Sequence, residues 1–166
     1  RFEGRMSPGD IRAFARMGAY ESLLHGVGLV WDHYYHANSI AAALAEVGLC
    51  GVVAPTLQDI AGPGKDVWQD QLQATAELDA DATYAQKGIF AALGPHATDT
   101  VSASLFKRAM DLAAACDLPL HAHLAQSVEE HRRAFERHGQ SPVAWLKSMG
   151  ALDGSLAWVF AHCLYL

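Results

Sequence analysis

Charge is scarce in this 166-residue chain, with 18% Asp, Glu, Lys and Arg, and the little there is leans negative: twelve basic residues against eighteen acidic ones, net −6. A basic footprint for a phosphate backbone or an anionic bilayer is therefore missing, which excludes nucleic acid and membrane as partners. Long apolar runs are missing too. None reaches the roughly 18 residues of a membrane span, and the N-terminus carries no signal or transit peptide, so a cytoplasmic protein is expected. Cysteine is limited to Cys50, Cys116 and Cys163, an odd number without metal-site spacing. That excludes a disulfide scaffold and points to buried thiols in a reducing compartment. Linkers, repeats and low-complexity tracts are absent, and Gly62-Pro63-Gly64 is the one loop with strong breaker chemistry.

What is present is apolar: 51% hydrophobic residues at a mean hydropathy of +0.06, too much for disorder and enough for a sizeable core. The length fits one ordinary domain and falls short of the roughly 250 residues of a closed eight-stranded α/β barrel. The chain opens on Arg1 and stops at Leu166 inside an apolar segment, so a piece of a longer protein is expected.

Five short apolar runs alternate with helical start and stop signals, the pattern of βαβ units around a parallel sheet. They are Val27 to Trp31, Gly51 to Pro55, Gly88 to Leu93, Leu118 to His123 and Leu156 to Ala161. Continuous apolar character fits strands covered on both faces. Ser7-Pro8-Gly9-Asp10 caps a helix that runs towards Gly26; Asn38-Ser39 opens an alanine-rich one ending at Gly48, and Asp66 with Gln69 opens another. From Ser102, residues Leu105, Ala109, Leu112 and Cys116 draw one apolar stripe. Ser127 to Glu130 forms a capping box, and Ser141-Pro142 starts a short helix. Glu129, Glu130 and the run from Arg132 to Arg137 read as a solvated helix face, where Glu130→Ala costs a cap's worth, about 1 kcal/mol or less. The tryptophans Trp31, Trp68, Trp145 and Trp158 read as packing residues.

In a fold of this class, function gathers just past the C-terminal strand ends. The polar residues there are Asp32, His33 and His36, then Gln58 and Asp59, then His96, then His121, His123 and Gln126, and finally His162. Imidazoles from successive strands suggest a metal site, since neutral histidine is the commonest transition-metal ligand. His121-Ala122-His123 is the sharpest local signal, because residues two apart in a strand share a face. Each histidine also has a plain alternative. His121 packs in the core, His123 closes the strand, His96 serves the Gly94-Pro95 turn, and His162 satisfies a hydrogen bond. The set together favours the metal.

Gly94-Pro95-His96 with Thr98-Asp99-Thr100, Leu118 through Gln126 with Glu129-Glu130, and Ala161 through Leu166 together resemble the amidohydrolase superfamily. The branch they resemble holds cytosine, guanine and S-adenosylhomocysteine deaminases and the triazine chlorohydrolases. Asp32-His33-Tyr34-Tyr35-His36 is also typical of it, so the resemblance spans essentially the whole chain. It implies that residues 1–166 are the central part of a metal-dependent barrel domain, a partial (β/α)8 TIM barrel covering about strands 2 to 6. It implies one divalent metal ion, zinc ahead of iron, with His123 as ligand and His162 at the metal or its water. His96 would contact substrate. The implied activity is that of a hydrolase acting on carbon–nitrogen bonds of a small heterocycle, in which a metal-activated water attacks a ring carbon. A homo-oligomer is the expected assembly.

By the same resemblance, the family's first-strand His-x-His would precede Arg1 and its eighth-strand aspartate would follow Leu166. Gln126 stands where most deaminases of this branch carry a proton-shuttling glutamate, and Tyr165 replaces a frequent second histidine. An amide orients substrate but does not relay a proton, which leaves chlorohydrolase-type displacement as one alternative. A catalytically inert piece with a structural or assembly role is the other.

Overall fold

A computed structural model describes residues 5–166, and these form two compact units, one of 5–55 with Gln69–Ala92, the other of Thr56–Trp68 with Leu93–Leu166. Both are α/β with parallel strand pairs. Among the described residues, no helix is long and apolar enough to cross a membrane.

The first unit opens with α1 (Pro8–Leu24), where Ser7 caps the helix as expected and Asp10 closes a capping box with it. Then come β1 (Leu29–Tyr34), α2 (Ala37–Val47) and the first six residues of β2 (Cys50–Leu57). The helices α3 (Trp68–Ala80) and α4 (Ala82–Gln86) follow, and then β3 (Ile89–Ala91). The strand β2 is central: Leu29 to Tyr34 pair in parallel with Cys50 to Pro55, and Gly51 to Val53 pair with Ile89 to Ala91. Every residue of β2 after Cys50 is buried, as a parallel strand covered on both faces requires. Two start signals fail here. The alanine-rich helix begins at Ala37, on a left-handed His36 with no side-chain cap, rather than at Asn38-Ser39. The next begins at Trp68, two residues past Asp66.

The second unit holds the end of β2, β4 (Gly94–Pro95), α5 (Ala103–Cys116), β5 (Leu120–Leu124), α6 (Val128–His138), α7 (Pro142–Ser148) and β6 (Trp158–His162). Thr56 and Leu57 pair with Gly94 and Pro95; Leu93 bridges Leu120; and β5 pairs with β6 from Leu120↔Trp158 to Leu124↔His162. Phe106, fully buried, sits edge-on to Trp145 at 5.3 Å and stacks on Trp158 at 6.0 Å, so both tryptophans are packing residues, Trp145 buried and Trp158 half-buried. Ser102 and Ser141 cap α5 and α7 through their hydroxyls.

The expected strands shift in one direction. Four of them end one to three residues later than the apolar runs do, at Tyr34, Leu57, Leu124 and His162. Ladder hydrogen bonds are made by the backbone, so a strand continues through a polar residue wherever a neighbour is in register. The run Gly88 to Leu93 instead divides into β3 and β4, because Leu93 turns to Leu120 and Pro95 has no N–H to donate. On α5 the buried stripe is Leu105, Phe106, Ala109 and Ala113. Cys116 is exposed and Cys50 and Cys163 are half-buried, so the thiols are free but not all buried.

Glu130 is the largest correction. It is 1% exposed rather than solvated. Its neighbours Glu129, Arg132 and Glu136 do make the exposed ion pairs expected of that face. The Ser127 hydroxyl accepts from the Glu130 amide, yet the Glu130 carboxyl turns inward instead of closing the box. Its removal therefore leaves buried donors without an acceptor, a cost of about 1–3 kcal/mol and more than a cap.

Candidate metal and substrate site

Three of the anticipated histidines meet in the second unit. His96 follows β4 directly, His123 is the fourth residue of β5, and His162 is the last of β6. Adjacent parallel strands hold these positions side by side: the His123 amide donates to the His96 carbonyl at 2.7 Å, and Leu124 is in register with His162. The ring centres of His96 and His123 lie 4.8 Å apart, and those of His123 and His162 lie 5.1 Å apart. His121 is buried at 5% exposure, with its ring 6.2 Å from that of His123, on the flank of the cluster.

Electrostatics favour neutral rings. Burial, followed by the nearby His123 and His162, pushes His96 down to about 4. Burial, followed by His162 and His121, does the same to His123. The His96 ring is anchored from the far side, with Nδ1 2.8 Å from the Thr100 hydroxyl, whose oxygen also lies 3.4 Å from the Ala97 carbonyl.

The turn after β5 is strained and firmly held. Ala125 has φ 51°, and His162 and Cys163 at the end of β6 have φ 74° and 52°, a left-handed conformation that costs residues other than glycine of order 1–3 kcal/mol each. Backbone hydrogen bonds offset it: Cys163 donates to the Leu124 carbonyl, and Leu164 and Tyr165 both donate to that of Ala125. Gln126, half-buried on this turn, gives its own amide hydrogen to Glu130 Oε2 at 2.8 Å.

The loop after β2 belongs to the same unit. Asp59 accepts from the Ser102 amide at 2.7 Å and from its hydroxyl, which fastens this loop to the start of α5. Gln58, 2% exposed, accepts from the Gly64 amide, and the loop closes around it so tightly that a Cβ on Gly62 would stand 2.2 Å from its Oε1. Asp32, His33 and His36 belong to the first unit.

Thr98 and Glu130 were not singled out as site residues. The signal was in the spacing: residues 130, 133 and 137 share a helix face, and all three reach the loop from His96 to Thr100.

Parallel strands that present imidazoles at their C-terminal ends place this chain among α/β proteins with a candidate site at that rim. The model of the amidohydrolase family matches residues 2–166, and the chain belongs to that family. It is 31% identical over 164 residues to the 5'-deoxyadenosine deaminase of Methanothrix thermoacetophila, a match covering 99% of this chain and 37% of that protein. It is 29% identical to a 5-methylthioadenosine/S-adenosylhomocysteine deaminase of Thermoanaerobacter pseudethanolicus, over 98% of this chain and 37% of the relative. The chain thus spans little more than a third of the length of these relatives. Its fold is shared with the crystal structure of an adenosine deaminase from Xanthomonas campestris with bound zinc, at TM-score 0.81 and 24% identity over 94% of this chain and 35% of the other.

The cluster fits part of a metal site. Two imidazoles sharing one tetrahedral zinc, with Zn–N bonds of about 2.0–2.1 Å, hold their ring centres about 5 Å apart, and His123 and His162 are at 5.1 Å. A metal takes the neutral ring, the form in which burial keeps His123. Among the described residues, no group of three or more His, Cys, Asp or Glu could hold an ion, so the set is incomplete.

Proposed function

We propose that residues 1–166 are the central part of a (β/α)8 barrel, about its second to sixth strands, and that the whole protein is a zinc-dependent, cytoplasmic hydrolase of a heterocyclic carbon–nitrogen bond. The observation that carries this reading is the packing of the His96, His123 and His162 rings into one cluster at the C-terminal strand ends. The deaminase relatives support a purine nucleoside as the substrate class.

His123 and His162 would hold the ion, zinc ahead of iron, which when bound supplies Lewis acidity that brings a water's pKa towards neutrality. His96, anchored by Thr100, presents its outer ring nitrogen to the substrate as a hydrogen-bonding group, because burial keeps it neutral at pH 7. The Gln126 amide orients the heterocycle by hydrogen bonds and carries no proton. Water adds to the ring carbon, and the amino group, having taken up a proton released by that water, leaves as ammonia. Chloride departs without needing one, so Gln126 favours, as a second reading, chlorohydrolase-type displacement. Among the described residues β1 and β6 each pair with one strand. Open edges of this kind are covered in the intact protein by further strands or by a second copy.

The test is ammonia release from 5'-deoxyadenosine by the whole protein, with and without a chelator. Turnover lost on chelation and restored by zinc supports the reading. A zinc-replete protein inert towards purine nucleosides and chlorinated triazines alike overturns it. With two ligands of its own, the 166-residue chain alone should bind zinc weakly, and tight stoichiometric binding would contradict the ligand assignment.

A further inference from the structure

Two site loops of the second unit are joined through one buried side chain. Glu130 Oε1 accepts from the Thr98 hydroxyl at 2.7 Å, and Oε2 accepts from the Gln126 backbone N–H at 2.8 Å, leaving the Gln126 side-chain amide outside this link. Thr98 is fully buried within the loop that begins at His96, and Glu130 is 1% exposed, so neither bond competes with bulk water. The same face of α6 holds that loop twice more: Arg137 donates to the Asp99 carbonyl at 2.9 Å, and Arg133 pairs with the buried Asp99 carboxylate at 3.4 Å. Those arginines reach the loop from an exposed position and bind one loop only. Glu130 alone among the three spans both.

The geometry points to Glu130 as a positioning residue: its carboxyl ties the Gln126 turn to the His96 loop, and so fixes the separation at which the Gln126 amide and the His96 ring meet the substrate. A carboxylate suits the task because both its oxygens accept, whereas every neutral side chain of this size offers at most one acceptor oxygen. The turn it holds is the strained one, with Ala125 at φ 51°, which persists only while its surroundings determine it. The role in turnover rests on the function proposed above; the mechanical link between the loops does not.

The experiment uses the whole protein carrying Glu130→Gln, which keeps the shape of the side chain and leaves one of the two donors without an acceptor. Amide hydrogen exchange should speed up about tenfold or more in peptides covering 94–102 and 124–130, and stay unchanged in those covering α1 and β1. Zinc content should be unaltered, and kcat/KM for the nucleoside should fall about tenfold or more, since a displacement near 1 Å in a positioning group costs up to about a hundredfold. Unchanged exchange in either loop, uniform loosening of the chain, or a zinc-loaded variant within about twofold of the parent would overturn the proposal. If Glu130→Gln does not fold, Thr98→Val removes one donor at constant shape, and the same confined loosening of the His96 loop is required. Should the parent hydrolyse no nucleoside, the function reading fails and hydrogen exchange alone decides the role of Glu130.

Discussion

Asp32 makes the stability of the first unit depend on pH in the direction opposite to most carboxylates. It lies on β1, paired with Val53, and lines a cavity of about 450 Å³ together with Ile11, Phe14 and Ile40. Oδ1 has no hydrogen-bond partner among the described residues. With water removed and no cation supplied, desolvation raises its pKa from 3.8 to about 6. The native state therefore holds this proton more tightly than the unfolded chain does. Below pH 3.8 both states are protonated and the group is neutral for stability; as pH climbs through the window up to about 6, stability is lost, and above it the loss is complete. The shift corresponds to about 3 kcal/mol, at about 1.4 kcal/mol per pH unit. Asp32→Asn cannot ionise, so urea unfolding of the variant and the parent at pH 4 and pH 7.5 isolates the effect. Any constant offset from the amide cancels between the two conditions. The variant should gain about 2.5 kcal/mol on the parent between pH 4 and pH 7.5, or roughly 5–10 °C in Tm for a chain of this size. A stability gap equal at both pH values would refute the reasoning, as would a parent that gains stability relative to the variant with rising pH.

Gly62→Ala places a methyl 2.2 Å from Gln58 Oε1 at a residue with φ 109°, so the Gln58 side chain or the loop around it must shift. A loss of about 1–3 kcal/mol in urea unfolding is expected, with faster exchange of the Gly64 amide, and an unperturbed loop would contradict the closure described. In the whole protein, Gln126→Glu should raise the rate of ammonia release from a purine nucleoside, because a carboxylate can relay the proton that an amide cannot. No gain with any aminated purine or pyrimidine would show that the missing shuttle is not what limits the reaction.

The sequence carried much of this architecture because parallel strands covered on both faces are largely apolar, as the buried run of β2 is. Capping chemistry located α1, α6 and α7 for an equally local reason, since a hydroxyl one residue before a helix satisfies an amide that nothing else reaches. It failed at α2, which starts on His36 in a left-handed turn that the Asn38-Ser39 pair does not reveal. Burial on α5 could not be read to the residue, because Phe106 points inward against Trp145 and Trp158, which lie far along the chain. The cluster of His96, His123 and His162 was legible because strand ends in a wound sheet share one rim. Glu130 was not, because a glutamate on a helix as charged as α6 looks solvated until Thr98 and Gln126, 32 residues and four residues away in the chain, arrive beside it.

The reading turns on where a metal sits. A zinc-edge anomalous difference map from crystals of the whole protein should place one peak about 2.0–2.1 Å from a ring nitrogen of His123, with the His162 ring turned to the same ion or its water. A zinc peak away from His123, or His96, His123 and His162 rings that face different cavities, would contradict it.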